Sequence, residues 1–232
     1  MENVKTIKNL LDEMLATMAE ETPEERAERE REVRAQIEDE ERKHKQEVFE
    51  RSGVPARYYA ESLDTFLTFD EMSRHAKEVA ELFASKTKEG QFKSLVLIGN
   101  AGTGKTHLAC SLVRAMEFGA YYRSTPDVVE EIRRAKSFNS ARTEAEIVES
   151  YGSCRFLVLD EIGRGINAND EKYTLYQIIN ARYNNRRPTV LISNMTKKDF
   201  LQYIGNASAD RLVESADILE MNGKSFRETL RG

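Results

Sequence analysis

The chain has 232 residues, of which 40% are hydrophobic and 32% charged, with a formal net charge of −5. That length suits one α/β domain with an appendage, and that composition can bury a proper core. There is no apolar run near the roughly 20 residues that span a bilayer, no signal-peptide h-region and no Cys/His cluster at zinc-ligand spacing, so a cytoplasmic protein with free thiols at Cys110 and Cys154 is expected.

The charge is unevenly spread. Residues 1–50 hold 9 Lys and Arg against 16 Asp and Glu; the remainder holds 26 against 24. The acidity therefore belongs to an N-terminal arm. Within it, residues 4–19 place Ile7, Leu10, Leu11, Met14, Leu15 and Met18 at helical spacing. Thr22-Pro23-Glu24-Glu25 then reads as a new helix start, with Thr22 as N-cap, Pro23 in the first turn and Glu25 closing a capping box. The helix runs to about Glu50 and is mostly Glu and Arg; a helix that polar bridges solvent or binds a partner.

Beyond Arg51-Ser52-Gly53-Val54-Pro55 the periodicity changes. Strands are expected at Ser94–Ile98, Ala120–Arg123, Phe156–Leu159, Thr189–Ser193 and Asp217–Glu220, with helices between them. That alternation means a mostly parallel sheet covered on both faces. Domain limits of 1–50 for the arm and 51–232 for the α/β domain follow.

Gly99-Asn100-Ala101-Gly102-Thr103-Gly104-Lys105-Thr106 fits G-x-x-x-x-G-K-[ST] at every fixed position, between an apolar strand and the helix opening at His107. Such a loop turns backbone N–H groups onto phosphates, and the helix N-terminus adds its dipole. Residues Gly99 to His107 are thus the candidate nucleotide cradle. Lys105 is expected on the β- and γ-phosphates, and the Thr106 hydroxyl on Mg²⁺. Phe156-Leu157-Val158-Leu159-Asp160-Glu161 supplies four apolar residues and two carboxylates at a strand's C-terminal end, where open α/β sheets bind ligands. Asp160 is the candidate Mg²⁺ residue, through its water shell, and Glu161 the one that orients or deprotonates the attacking water.

Shorter matches point elsewhere. Asp160-Glu161-Ile162-Gly163 fits D-x-x-G and Thr196-Lys197-Lys198-Asp199 fits T-K-x-D, as in GTPases. The doubled carboxylate is more typical of ATPases, and Thr196 has an ordinary explanation as a helix N-cap.

The order of features resembles the DnaC/IstB-like branch of AAA+ ATPases, which includes replicative helicase loaders. The resemblance covers about residues 47–232. It rests on Phe49-Glu50-Arg51-Ser52-Gly53-Val54-Pro55, Gly104-Lys105-Thr106-His107-Leu108-Ala109, Asp160-Glu161-Ile162-Gly163, Gln177-Ile178-Ile179-Asn180-Ala181-Arg182, Arg187-Pro188-Thr189, Asp210-Arg211-Leu212 and Ser225-Phe226-Arg227. It implies a P-loop AAA+ domain with a five-stranded parallel sheet in the order 5-1-4-3-2, preceded by a helical arm, and ATP hydrolysis with Mg²⁺. It implies further roles: Asn194 as a sensor of the γ-phosphate or the water, Arg211 as an arginine finger acting on a neighbouring subunit, Arg227 as a second sensor, and Val54 and Pro55 as the linker packed on adenine. The segment Arg164–Asp170 matches the family poorly, and the first 46 residues match only in being short, helical and charged.

A loader implies three partners: a DnaB-type ring helicase, single-stranded DNA, and further copies of the chain in a helical or ring oligomer. The candidate DNA contacts are Tyr122, Arg123, Arg133, Arg134 and Arg164, with Lys136 and Lys172 beside them, since cations neutralise phosphate and an aromatic stacks on a base. The candidate helicase contacts are Ile7, Leu11, Met14, Leu15 and Met18, spaced as helix-in-groove anchors. The alternatives are an IstB-like transposition helper acting on duplex DNA, a GTPase, and a scaffold that binds ATP without hydrolysing it.

Overall fold

A computed structural model describes residues 22–137, 140–223 and 225–226. The helicase-contact candidates Ile7, Leu11, Met14, Leu15 and Met18, and the second-sensor candidate Arg227, lie outside the described residues. The chain divides into two compact units, Met1–Gln46 and Glu47–Gly232.

The described part of the first unit belongs to helix α1, Pro23–Arg51, whose last turn lies in the second unit. Its start is a reciprocal cap. The Thr22 amide donates to Glu25 Oε2 at 2.9 Å, and the Glu25 amide donates to Thr22 Oγ1 at 3.3 Å. Two orphan N–H groups are thereby satisfied. Phe49 is the helix's buried residue.

The second unit is a five-stranded sheet. Strands β1 (Ser94–Ile98), β2 (Ala120–Ser124), β3 (Phe156–Ile162), β4 (Thr189–Ser193) and β5 (Ala216–Glu220) lie in the order β2-β3-β4-β1-β5, the order the resemblance implies. Every recorded pairing is parallel. Helix α2 (Glu71–Lys88) precedes the first strand; parallel strands need crossovers, and these are the helices α3 (Lys105–Ala115), α4 (Thr125–Ala135), α5 (Glu144–Ser153), α6 (Ala168–Asn184), α7 (Lys197–Ile204) and α8 (Asn206–Ser215).

Side chains alternate across each strand, so the central ones feed two cores. Leu95, Leu97, Phe156, Val158, Val190 and Ile192 pack with residues of α2 and α3, such as Phe83, Leu108 and Leu112. Val96, Ile98, Leu157, Leu159 and Leu191 pack with residues of α4 to α8, such as Ile132, Ile178, Phe200 and Leu212. With both faces covered, β1 and β4 are buried along their whole length, which is why they read as unbroken apolar runs. The strand order brings the C-terminal ends of β1, β3 and β4 side by side, and the site is built there.

Candidate functional site

Leaving β1, the chain turns at Gly99, Gly102 and Gly104, with φ of 111°, 81° and 91°. These values are cheap only for glycine. The same glycines admit the chain's own C-terminal segment. A Cβ on Gly104 would lie 2.7 Å from Phe66 Cε2 and 2.9 Å from Phe226 Cε2, and one on Gly102 would strike Ser225 Oγ. The Phe226 amide donates to the Gly102 carbonyl at 2.9 Å. The loop is thus braced from outside as well as shaped to receive phosphate.

Gly104 is the N-cap of α3, so Lys105 and Thr106 stand on its first turn. Lys105 is 5% exposed. Its ammonium donates to the carbonyls of Gly99 at 2.8 Å and Asn100 at 2.5 Å. Burial lowers its pKa to about 8, while the negative charge of Asp160 opposes the fall.

Asp160 sits near the end of β3 and is 4% exposed. Its Oδ2 accepts from Thr106 Oγ1 at 2.8 Å and from the Tyr122 hydroxyl at 2.7 Å. Its Oδ1 accepts from the Glu161 amide at 2.6 Å. Glu161 departs from the strand: its φ is +61°, and the β3–β4 register shifts between Leu159 and Ile162. A left-handed non-glycine costs on the order of 1 kcal/mol and tends to sit at functional sites. It turns the Glu161 carboxylate out of the sheet, where it is exposed and 3.9 Å from the Arg164 guanidinium.

One further carboxylate fixes this loop. Glu171 in α6 is fully buried and accepts from the amides of Gly163 at 2.5 Å and Gly165 at 2.8 Å. Asn194, one residue past β4, is exposed at the same cleft.

The cleft between these elements has a volume of about 480 Å³. Lys105, Thr106, Asp160, Glu161 and Asn194 line it together with Ala101, Gly102, Gly104 and His107. Arg164 also lines it, the one DNA-contact candidate that does. The oxygens of Thr106 and Asp160 meet at its floor. Hard oxygen donors of this kind suit Mg²⁺, which usually keeps one or two carboxylates plus substrate phosphates and waters. Among the described residues there is no cluster of three or more His, Cys, Asp and Glu side chains that would hold a metal by itself.

Several candidates are placed differently from the sequence expectation. Val54 is 3% exposed and packed in the core with Phe49 and Tyr122. Arg57 and Tyr58, in a 3-10 turn at Ala56–Tyr58, line the cleft where Val54 and Pro55 do not. Gly99, Asn100 and Thr103 support the loop from behind: Thr103 Oγ1 donates to the Asn100 carbonyl at 2.9 Å. Tyr122 needs a correction. It is 6% exposed, and its hydroxyl is spent on Asp160, so its ring is not available to stack on a base. The Arg123 guanidinium is also turned inward, donating at 2.7 Å to each of the Ser52 and Tyr122 carbonyls. Arg133 and Arg134 are exposed and pair with Glu130.

Arg211 stands on α8, outside the cleft. It donates to the Ala207 carbonyl at 2.6 Å and lies about 6 Å from the rings of Tyr176 and Tyr183. Thr196 caps α7, accepting from the Asp199 amide at 3.2 Å. No periodicity or motif marked Glu171, Arg57 or Tyr58, or tied Tyr122 to Asp160, because each acts through a partner remote in sequence or through a turn with no pattern of its own.

The model of the IstB-like ATP binding proteins matches residues 8–231. The chain belongs to that family. The AAA+ reading and the binding of ATP follow, and the GTPase alternative falls away.

Within the family's wider kinship, the chain is 25% identical over 191 residues to the replicative helicase loader DnaC of Buchnera aphidicola, covering 81% of this chain and 77% of that one. It is 32% identical over 146 residues to a putative ATP-binding protein of insertion sequence IS232 from Bacillus thuringiensis, covering 59% of this chain and 56% of that one. In fold it is similar to the crystal structure of the DnaC helicase loader, with a TM-score of 0.64 and 22% identity, covering 72% of this chain and all of that one. Among the described residues no helix is long and apolar enough to cross a membrane.

Proposed function

We propose that the chain is a Mg²⁺-dependent ATPase that loads a DnaB-type ring helicase onto single-stranded DNA in the cytoplasm. The observation that carries this reading is the convergence of Thr106, Asp160 and Glu161 at one cleft, in a chain that aligns with DnaC loaders over 81% of its length.

In the proposed mechanism the loop from Gly99 to His107 wraps the phosphates, and Lys105 exchanges its loop carbonyls for phosphate oxygens. Thr106 and Asp160 would hold Mg²⁺, which would supply positive charge against the phosphates. Glu161, aimed into the cleft by its left-handed backbone, orients the attacking water or takes its proton. Asn194 touches the γ-phosphate or that water. Arg211 reaches the site of a neighbouring copy, and Arg227 acts as a second sensor. Arg133, Arg134 and Arg164 face the DNA, and residues 4–19 dock on the helicase.

The test is co-purification of the full chain with its host's replicative helicase, with and without ATP, followed by helicase transfer to single-stranded DNA. A stable complex whose helicase is delivered in an ATP-dependent manner is expected. No association under either condition overturns the loader reading. The 32% identity to the insertion-sequence protein favours one second reading, a transposition helper. It predicts preference for duplex DNA and binding to a transposase in the same assay.

A further inference from the structure

Asp160 has a partner that belongs to neither nucleotide motif. Tyr122, on β2, is buried, and its hydroxyl donates at 2.7 Å to Asp160 Oδ2, the oxygen that also accepts from Thr106. Strand pairing sets the reach: Tyr122 lies opposite Val158 and Ser124 opposite Asp160. The tyrosine ring thus spans from two residues back in the neighbouring strand to the carboxylate. A buried carboxylate has few orientations available, and a fixed hydroxyl selects among them.

The same strand is fastened to Ser52, the residue just past α1, which in turn bonds the helix's last turn. The Ser52 carbonyl accepts from the Tyr122 amide at 2.9 Å and from the Arg123 guanidinium at 2.7 Å, while Ser52 Oγ donates to the Phe49 carbonyl at 2.5 Å. The fit is close. A Cβ on Gly53 would lie 2.5 Å from the Tyr122 carbonyl and would strike Arg123 Nη1. Hydrogen bonds at Ser52 and at the Tyr122 hydroxyl, joined by the covalent frame of Tyr122, therefore connect Phe49 to Asp160.

We propose that Tyr122 is a positioning residue for the Asp160 carboxylate as a Mg²⁺ holder, and that its strand links that carboxylate to the last turn of α1. The inference rests on the ATPase reading above. It gives a physical route by which strain on α1 would change Mg²⁺ binding at the nucleotide site.

The test uses the full chain and a fluorescent, non-hydrolysable ATP analogue, so that turnover plays no part. Tyr122→Phe keeps the buried ring and removes only the hydroxyl. Its affinity for the analogue in EDTA should equal the parent's. The Mg²⁺ concentration for half-maximal enhancement should rise roughly tenfold, the scale expected for one lost hydrogen bond to a charged group. Excess Mg²⁺ should restore binding. An unchanged Mg²⁺ titration overturns the proposal, and so does an equal loss with and without Mg²⁺, which would mark general damage. Tyr122→Leu, also lacking the hydroxyl, repeats the test if the Phe variant is insoluble. Arg123→Ala checks the link to α1. It should shift the Mg²⁺ titration in the same direction and add nothing in the double variant with Tyr122→Phe. Additive shifts would sink the link. A parent chain that binds no analogue in any buffer would instead defeat the ATPase reading itself, and this inference with it.

Discussion

Thr106 Oγ1 donates a 2.8 Å hydrogen bond to Asp160 Oδ2, joining the first turn of α3 to the end of β3 across 54 residues of sequence. The sheet order makes this possible. β3 is separated from β1 by β4 alone, so the loop leaving β1 and the carboxylate ending β3 share one edge. Each oxygen is held by protein before any ligand arrives, which lowers the reorganisation needed to bind a cation and phosphates.

Lys105 should make nucleotide binding depend on pH. Its pKa is lowered to about 8 by burial, and phosphate oxygens favour its charged form. Below pH 8 the ammonium is already charged. Between pH 8 and the ordinary lysine range, binding must take up a proton, so affinity should fall as pH rises through that window. Calorimetry in buffers of different ionisation enthalpy should show proton uptake above pH 8 that is absent at pH 6.5. Lys105→Ala should weaken binding at neutral pH by about tenfold or more, the scale of one charged hydrogen bond, and should abolish the uptake.

Unliganded stability should follow the same group. A lysine with a lowered folded pKa disfavours the folded state while it is charged, and the penalty is relieved as pH rises from 8 towards the unfolded value. The midpoint of denaturant unfolding should therefore fall less steeply over that range in the parent than in Lys105→Met. Parallel curves would show that Lys105 is not the group concerned.

Hydrolysis should separate from binding at Glu161. Glu161→Gln keeps the side chain's size and the backbone geometry but removes the base. ATP should remain bound while steady-state phosphate release drops by at least about 10², the lower scale for general-base catalysis. Turnover equal to the parent's would remove Glu161 from the proposed mechanism.

Arg211 should act between subunits. It lies on α8, away from its own cleft, and fingers supplied in trans are worth ~10³ or more in rate in other nucleotide hydrolases. Arg211→Ala should bind ATP normally and lose stimulated hydrolysis. Mixing it with Glu161→Gln subunits should restore some activity, where an intact Arg211 faces an intact Glu161. Verified co-assembly without recovery at any ratio would place the role of Arg211 within its own subunit.

Arg182 should matter for stability alone. It is 1% exposed, and its guanidinium donates to Thr189 Oγ1 at 2.6 Å and to the carbonyls of Tyr151 at 2.5 Å and Pro188 at 2.6 Å. Arg182→Ala leaves those buried acceptors unpaired and opens a cavity, at a cost of about 3–5 kcal/mol. Denaturant unfolding measures it; a loss below about 1 kcal/mol would contradict this account.

Much of this protein is legible in its sequence. The fold class follows from apolar runs too continuous for a one-sided sheet, and the phosphate loop from glycines at positions that need positive φ. The Thr22–Glu25 cap is local, so it too is visible in the chain. Strand limits at Ser94–Ile98 and Thr189–Ser193 are sharp for the same reason: both strands are buried from end to end. The sheet order came from the family resemblance, since pairing between distant strands leaves no mark in local sequence. What only the tertiary structure decided are the relationships that cross the sheet. Tyr122 reads as an aromatic that could stack on a base, yet β2 pairs with β3 in a register that brings its hydroxyl to Asp160. Glu171 reads as one helix charge among many, yet it is fully buried and holds the loop that follows Glu161. The physical reason is the same in both cases. Helix and strand periodicity is set by neighbours two to four residues away, whereas a hydrogen bond to a buried carboxylate is set by whichever elements the packed core brings within 3 Å of it.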